Sequence, residues 1–285
     1  MTLTDFINQL KNVIKIPSEM LARIFLKLKP LIIDKINQCL NTKITLKMGR
    51  PRSVDLNQFL DGLYFLIETG AQLKYMTKFY SISKGSFYRY LHLLEGNRIL
   101  SQIHADILET YHPKEEIWMT DGSNVKSVEG SIGTGRNPTD RGRRGIKFLL
   151  ITDTNLITRH VKIAPANVHD CRVLKEVVAE LKPLENPIKC LADSGFVGDP
   201  ARKICARKGI NLISRPRRKK NGIMTHVLTT EETLLLHRRW KIEHLNGELK
   251  RYRGLRNKYT KSITTYETFL LTALLCLTCY HMSVL

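Results

Sequence analysis

Ile117-Trp118-Met119-Thr120-Asp121-Gly122 and Ile188-Lys189-Cys190-Leu191-Ala192-Asp193-Ser194-Gly195 are the two stretches that decide the fold. Each reads as a short, mostly apolar strand that delivers an aspartate followed at once, or one residue later, by a glycine. A carboxylate at the end of a buried strand is costly unless it is paired or binds a cation. The glycines let backbone or substrate come close to it.

Outward from these stretches, strands and helices alternate. The first strand runs through Glu116–Val128, and a turn region rich in Gly, Asn and Pro covers 130–145. Phe148–Thr152 is a buried strand, 154–156 a turn, and Arg159–Ala164 the strand that returns. Val173, Leu174, Val177, Val178 and Leu181 give Cys171–Leu184 helical periodicity. Ile188–Asp193 is a strand, Pro200–Lys208 a helix, Asn211–Ser214 a strand and Thr229–Arg253 a long helix. Three strands, helix, strand, helix, strand, helix is a hairpin meander followed by crossovers. That order predicts an α/β, ribonuclease-H-like mixed five-stranded sheet with flanking helices. In such a sheet the first and fourth strands are neighbours, which brings Asp121 and Asp193 together.

The long helix offers a third acid. Leu235, Ile242, Leu245 and Leu249 form its apolar stripe, and Arg239, Glu243, Asn246 and Lys250 line the stripe beside it. Taken alone, Arg239 and Glu243 are an ordinary surface ion pair worth tenths of a kcal/mol. Joined to two strand-end aspartates in this order, Glu243 reads as the third member of a catalytic triad. Glu248 is a rival, but it lies off that stripe. Three converging carboxylates repel by about 4 kcal/mol per pair at 4 Å and an effective dielectric of 20, a strain that cations relieve. Two divalent ions suit in-line displacement at phosphorus, and hard oxygen ligands select Mg²⁺ or Mn²⁺.

The first half of the chain has a different character. Residues 1–46 read as helices punctuated by Pro17 and Pro30, and Gly49-Arg50-Pro51-Arg52 is a basic turn. Leu56, Phe59, Leu60, Leu63 and Leu66 make one helical face that Gly70 ends. A short helix over Gln72–Phe79, a turn at 81–83 and a helix from Lys84 to Leu94 complete the layout of a helix-turn-helix. Lys84 and Arg89 on its last helix are candidate DNA contacts, though a plain three-helix bundle has the same periodicity. The expected division is a helical arm over 1–50, a helix-turn-helix-like region over 51–112 and a catalytic domain over 113–285 ending in an apolar helix.

Charge narrows the partners. Of 285 residues, 46 are Lys or Arg and 26 Asp or Glu, a net charge of +20 that attracts a polyanion. The basic residues gather: Arg141, Arg143, Arg144 and Lys147 in one turn, Arg215, Arg217, Arg218, Lys219 and Lys220 after the fifth strand, and Lys250, Arg251, Arg253, Arg256 and Lys258 at the end of the long helix. Six scattered cysteines without a secretion signal point to free thiols in a reducing compartment, and Cys276-x-x-Cys279 sits in an apolar run as core and not as half of a zinc site. That run, Phe269–Leu285, is shorter than a span needs and is interrupted by Thr272, Thr278 and His281, so it reads as a buried helix.

Four blocks resemble a known family. Asn137-Pro138-Thr139-Asp140-Arg141-Gly142-Arg143-Arg144-Gly145-Ile146-Lys147 is similar to a turn of the DDE transposases of bacterial-type insertion sequences, in the superfamily that includes the Harbinger transposases. Ala166-Asn167-Val168-His169-Asp170, Leu191–Gly198 and Arg239-Trp240-Lys241-Ile242-Glu243 follow in family order. The resemblance implies that Asp121, Asp193 and Glu243 are the catalytic, metal-binding triad. It also implies that Arg239 and Lys250 are basic flanks, with Leu236 where relatives often carry an aromatic. Asp170 reads as an N-cap or a catalytic accessory. The implied partners are the double-stranded ends and target of a mobile element, with a homodimer or larger synaptic assembly. The setting is the cytoplasm of a bacterium, or the nucleus of a eukaryote, without secretion or a membrane. The alternatives are a decayed, DNA-binding repressor and a non-transposing nuclease of the same fold.

Overall fold

The computed structural model describes residues 17–42, 54–113, 117–130, 132–197, 199–218 and 223–283. The basic turn Gly49–Arg52, Lys219 and Lys220 lie outside the described residues. The chain divides into a helical unit, residues 1–112 with 249–285, and a sheet unit, residues 113–248.

In the helical unit, α1 (Pro17–Thr42) buries Ile24, Phe25, Leu28, Ile32 and Ile36, the three-and-four spacing of a single face. It runs through Pro30, which the sequence reads as a break; the ring forfeits one backbone hydrogen bond, and the packed face on either side holds the helix together. α2 (Leu56–Thr69) starts where the Asp55 carboxylate accepts from the Asn57 amide. It stops at Gly70, whose positive φ of 66° lets its N–H reach the Leu66 carbonyl. α3 (Lys74–Tyr80) and α4 (Lys84–Gly96, capped by Ser83) follow with the expected short turn between them, and α5 (Ile99–Glu109) closes the series.

The division differs from the expected one at both ends. α1 is no detached arm, since it packs on α2 and α5. The apolar C-terminal helix, α11 (Ile263–Ser283), packs on α1, α2, α4 and α5 and belongs with them rather than with the sheet. α11 is apolar on nearly every side, so it needs neighbours all round, and a helical bundle supplies them. It begins six residues earlier than the apolar run implies and is long enough to cross a membrane, but 72% of its most apolar stretch is buried.

In the sheet unit, β1 (Ile117–Ser127) lies between β3 (Arg144–Asp153), antiparallel, and β5 (Ile188–Ala192), parallel. β4 (Thr158–Pro165) pairs antiparallel with the far edge of β3, and the two-residue β2 (Gly135–Arg136) continues that edge. β6 (Ile210–Ser214) pairs parallel with β5. The spatial order is thus β4-β3-β1-β5-β6, the mixed ribonuclease-H-like sheet. α6 (Asp170–Glu180) and α7 (Asp199–Arg207) make the crossovers and pack on each other. Val173, Leu174 and Val177 of α6 meet Trp118, Leu149, Ile151 and Cys190 of the strands in one core. The β1–β5 ladder ends at Met119 opposite Leu191. Two residues further along each strand stand Asp121 and Asp193.

The long helix is not continuous. A capping box of Thr229 and Glu232 opens α8 (Thr230–Leu236), one tighter turn covers His237–Arg239, and α9 (Trp240–Arg251) follows. Tyr252 then adopts an extended conformation before the single turn of α10 (Arg253–Arg256). The tight turn is where Arg239 swings inward, to 6% exposure.

Gly145 marks how closely β1 and β3 approach, since a Cβ there would lie 2.6 Å from the Val125 carbonyl oxygen. Gly145→Ala is expected to cost about 1–3 kcal/mol and lower the melting temperature. Gly85→Ala, in open space near the start of α4, is expected to leave it unchanged or raise it. Thermal denaturation of both variants checks this.

Candidate active site

Asp121 extends from β1 into the space beside α9. Its carboxylate accepts from Asn246 Nδ2 at 2.8 Å and lies 3.3 Å from the Arg239 guanidinium. Arg239 in turn is 3.8 Å from Glu243. Arg239, from the tighter turn, and Asn246, from α9, thus meet Asp121 in the middle of β1 and not at its end, and Glu243 stands beside Arg239. Asp193 terminates β5, and its Oδ1 accepts from the Gly195 amide at 2.7 Å, capping the short turn Ser194–Phe196. Glu243 projects outward, with 61% of its side chain exposed.

Burial pushes the Asp121 carboxyl up to about 6 against the pull of Arg239, and the negative charges of Asp193 and Glu243 add to the rise. Glu248, the rival glutamate, pairs with His244 at 3.5 Å. Two buried polar atoms at the site have no hydrogen-bond partner, Arg239 Nε and Asn246 Oδ1. Among the described residues, however, no three His, Cys, Asp or Glu side chains stand in a ready-made metal-holding group. The donor set of hard carboxylate oxygens fits a divalent cation, while Arg239 supplies the countercharge in the arrangement seen here.

A fourth carboxylate stands close by. Asp170 is the first residue of α6; the N-cap is His169, whose Nδ1 accepts from the Cys171 amide. The N-cap reading of Asp170 is therefore replaced by another role. Its Oδ1 receives Lys147 Nζ at 2.6 Å, and a Cβ on Gly122 would meet its carboxyl group at 3.1 Å. Asp170 thus packs beneath the residue that follows Asp121, and Gly122 is needed for the approach. Nothing in the spacing of Lys147 and Asp170 foretells this pair; only the β3 register places Lys147 opposite Asn124, on the strand that carries Asp121.

With the geometry in place, comparison with known proteins is decisive. The family model described as the transposase DDE domain matches residues 112–279, more than half of the chain. The chain belongs to the DDE transposase family. A Burkholderia cepacia protein assigned as the transposase of insertion sequence element IS402 is 28% identical over 160 residues, covering 53% of this chain and 71% of that one. The fold is similar to that of the piggyBac transposase in a cryo-EM structure of its synaptic complex with hairpin DNA. The TM-score is 0.55 at 10% identity, over 90% of this chain and 72% of the other. This protein is accordingly a DNA transposase on a ribonuclease-H-like fold.

The transposase distributes its basic residues unevenly. Arg141, at a positive φ of 50°, and Arg143 are exposed in the turn before β3, and Arg144 is exposed as its first residue. Arg217 and Arg218 are exposed after β6, and Lys84 and Arg89 are exposed on α4. Lys147 and Arg239 are not at the surface; each is buried against a carboxylate, so neither is placed to meet phosphate in this arrangement. Lys250 is half-buried at the end of α9. Lys258, counted with the basic cluster there, is fully buried and donates to the carbonyls of Thr260 and Lys261.

The raised Asp121 value fixes the sign of a pH effect. A carboxyl with a folded pKa above its unfolded one lowers stability once it is ionised, fully above about 6 and not at all below the ordinary value of 3.8. In chelator, Asp121→Asn is expected to stabilise the transposase by roughly 1–3 kcal/mol at pH 7–8, with the gain vanishing towards pH 3.5. Denaturant titration of both proteins across that range reads it, and the difference cancels other titrations, including that of His160, which burial holds down to about 4. A gain that is flat with pH contradicts the assignment.

Proposed function

We propose that this transposase recognises the terminal inverted repeats of a mobile element and cuts and joins DNA strands through Asp121, Asp193 and Glu243. The observation that carries the reading is that the Asp121 carboxyl, raised first by its burial, also feels the negative charges of Asp193 at the end of the neighbouring strand and of Glu243 on α9. When bound, a pair of Mg²⁺ or Mn²⁺ ions supplies activation of the attacking oxygen and stabilisation of the leaving one. Asp121 and Asp193 offer it strand-borne oxygens held by Asn246 and by the Gly195 amide, and Glu243 offers an exposed one from the helix. Arg239, released from Asp121, would turn its positive charge to the phosphate that reacts.

The exposed arginines 141, 143, 144, 217 and 218 supply phosphate contacts along the sheet unit, and a steep salt dependence follows from them. Lys84 and Arg89, at the exposed N-terminal part of α4, suit the recognition helix of a helix-turn-helix. Pairing two element ends calls for a homodimer or larger assembly. Such an enzyme works where the host keeps its DNA, the cytoplasm in a bacterium or the nucleus in a eukaryote.

Incubation with labelled element ends and Mg²⁺ is expected to give cleavage and joining by the wild type. Asp193→Asn and Glu243→Gln are expected to lower the rate by at least about a hundredfold while the shift of DNA in a gel persists. Cleavage that survives both substitutions overturns the triad; binding without cleavage by the wild type favours a repressor. Lys84→Ala with Arg89→Ala is expected to weaken binding to element ends more than to unrelated duplex, measured by competition at fixed salt.

A further inference from the structure

The β1–β5 ladder stops at Met119 opposite Leu191, so strand pairing does not fix the distance between Asp121 and Asp193 beyond it. The first turn of α6 spans that gap. Asp170 packs its carboxyl group on Gly122, where a Cβ would lie 3.1 Å from both Cγ and Oδ1. The next residue, Cys171, donates its thiol to the Gly195 carbonyl at 3.1 Å, and the Gly195 amide holds Asp193 Oδ1 at 2.7 Å. Two consecutive residues of one helix thus touch the glycine that follows each acid. The turn is itself fastened on both sides. Lys147, with 9% of its side chain exposed, donates to Asp170 Oδ1 at 2.6 Å from β3, the strand paired with β1 on either side of Asp121. Val173 and Leu174 share a buried core with Phe196, which ends the short turn after Asp193. A buried ion pair gains little over apolar side chains of the same shape, so stability alone gives no reason for this one.

We propose that Asp170, with Lys147 behind it and Cys171 beside it, is a positioning residue that sets the separation of Asp121 and Asp193 and so fits the site to a small divalent cation. Mg²⁺ demands near-ideal octahedral oxygens at about 2.0–2.1 Å, whereas Ca²⁺ accepts roughly six to eight in a looser array. Slackening the brace therefore costs the smaller ion more. Partners that orient metal ligands in this way are worth about 10- to 100-fold in affinity. The inference rests on the reading of Asp121 and Asp193 as metal-binding acids.

The test follows Mn²⁺ binding to the full-length protein by electron paramagnetic resonance, with Mg²⁺ and Ca²⁺ as competitors. Asp170→Ala is expected to weaken Mg²⁺ about 10- to 100-fold and Ca²⁺ by no more than about threefold. A general loosening of the fold lowers both alike, and that result overturns the proposal. Asp170→Asn keeps an oxygen for Lys147 and its bulk on Gly122, so both ions are expected to stay within about threefold of the wild type. A loss there as large as in Asp170→Ala makes Asp170 a ligand itself and overturns the brace. Gly122→Ala presses the same contact from the other side, and keeps the test open should Asp170→Ala fail to fold; it is expected to give the same Mg²⁺-selective loss. In the double variant the new methyl fills the space the carboxyl group leaves, so the two losses are expected to sum to less than their product, and independent losses overturn the proposal. If Asp193→Asn binds Mn²⁺ as the wild type does, the metal-site reading fails and takes the brace with it. If Asp193→Asn loses Mn²⁺ while Asp170→Ala and Gly122→Ala keep the wild-type ratio of Mg²⁺ to Ca²⁺ affinity, the brace alone fails.

Discussion

A half-buried carboxylate between an arginine and an asparagine organises this transposase. Asp121 ends up beside α9 because β1 is the central strand of the sheet, and it is tolerated there because Arg239 and Asn246 come to it from one helical stripe. Remove the stripe and the strand would carry an uncompensated charge; remove the aspartate and a buried guanidinium would lose its main partner. The break between α8 and α9 has its reason in the same contact. A continuous helix would keep the phase of Arg239 fixed to that of Leu235, whereas the tighter turn at 237–239 brings the guanidinium inward.

Within the site the acids share one guanidinium. One positive side chain offsets acids that repel one another, and two polar atoms, Arg239 Nε and Asn246 Oδ1, are left without partners. Asp193 and Glu243 differ in freedom. The first is pinned by a backbone amide and the second reaches into solvent. Beneath them the Lys147–Asp170 pair fastens the start of α6 to β3, with Gly122 leaving room for the carboxyl group.

Much of this was legible in the residues. Alternating apolar runs located β1, β3, β4, β5 and β6 but not the two-residue β2, and the order of elements fixed which of those five are neighbours. The stripe of Arg239, Glu243 and Asn246 was visible because helical spacing is a local property. Three things were not legible. Pro30 reads as a break because proline removes one hydrogen bond, and the packing that keeps α1 whole lies far away in sequence. That Lys147 and Arg239 fold onto Asp170 and Asp121 was hidden because composition does not distinguish a basic residue at the surface from one laid on an acid. The allegiance of α11 depends on which neighbours can surround an apolar helix, and that is settled only in three dimensions.

That allegiance bears on how the molecule is made. The helical unit is assembled from residues on both sides of the sheet unit along the chain. As the polypeptide leaves the ribosome, the strands and crossovers are complete before α11 exists outside the exit tunnel. The early helices must wait, with part of their apolar surface open, until the later segment arrives to cover them. The sheet unit is thus complete along the chain before its helical companion, and a message broken shortly after residue 248 would leave the bundle without α11.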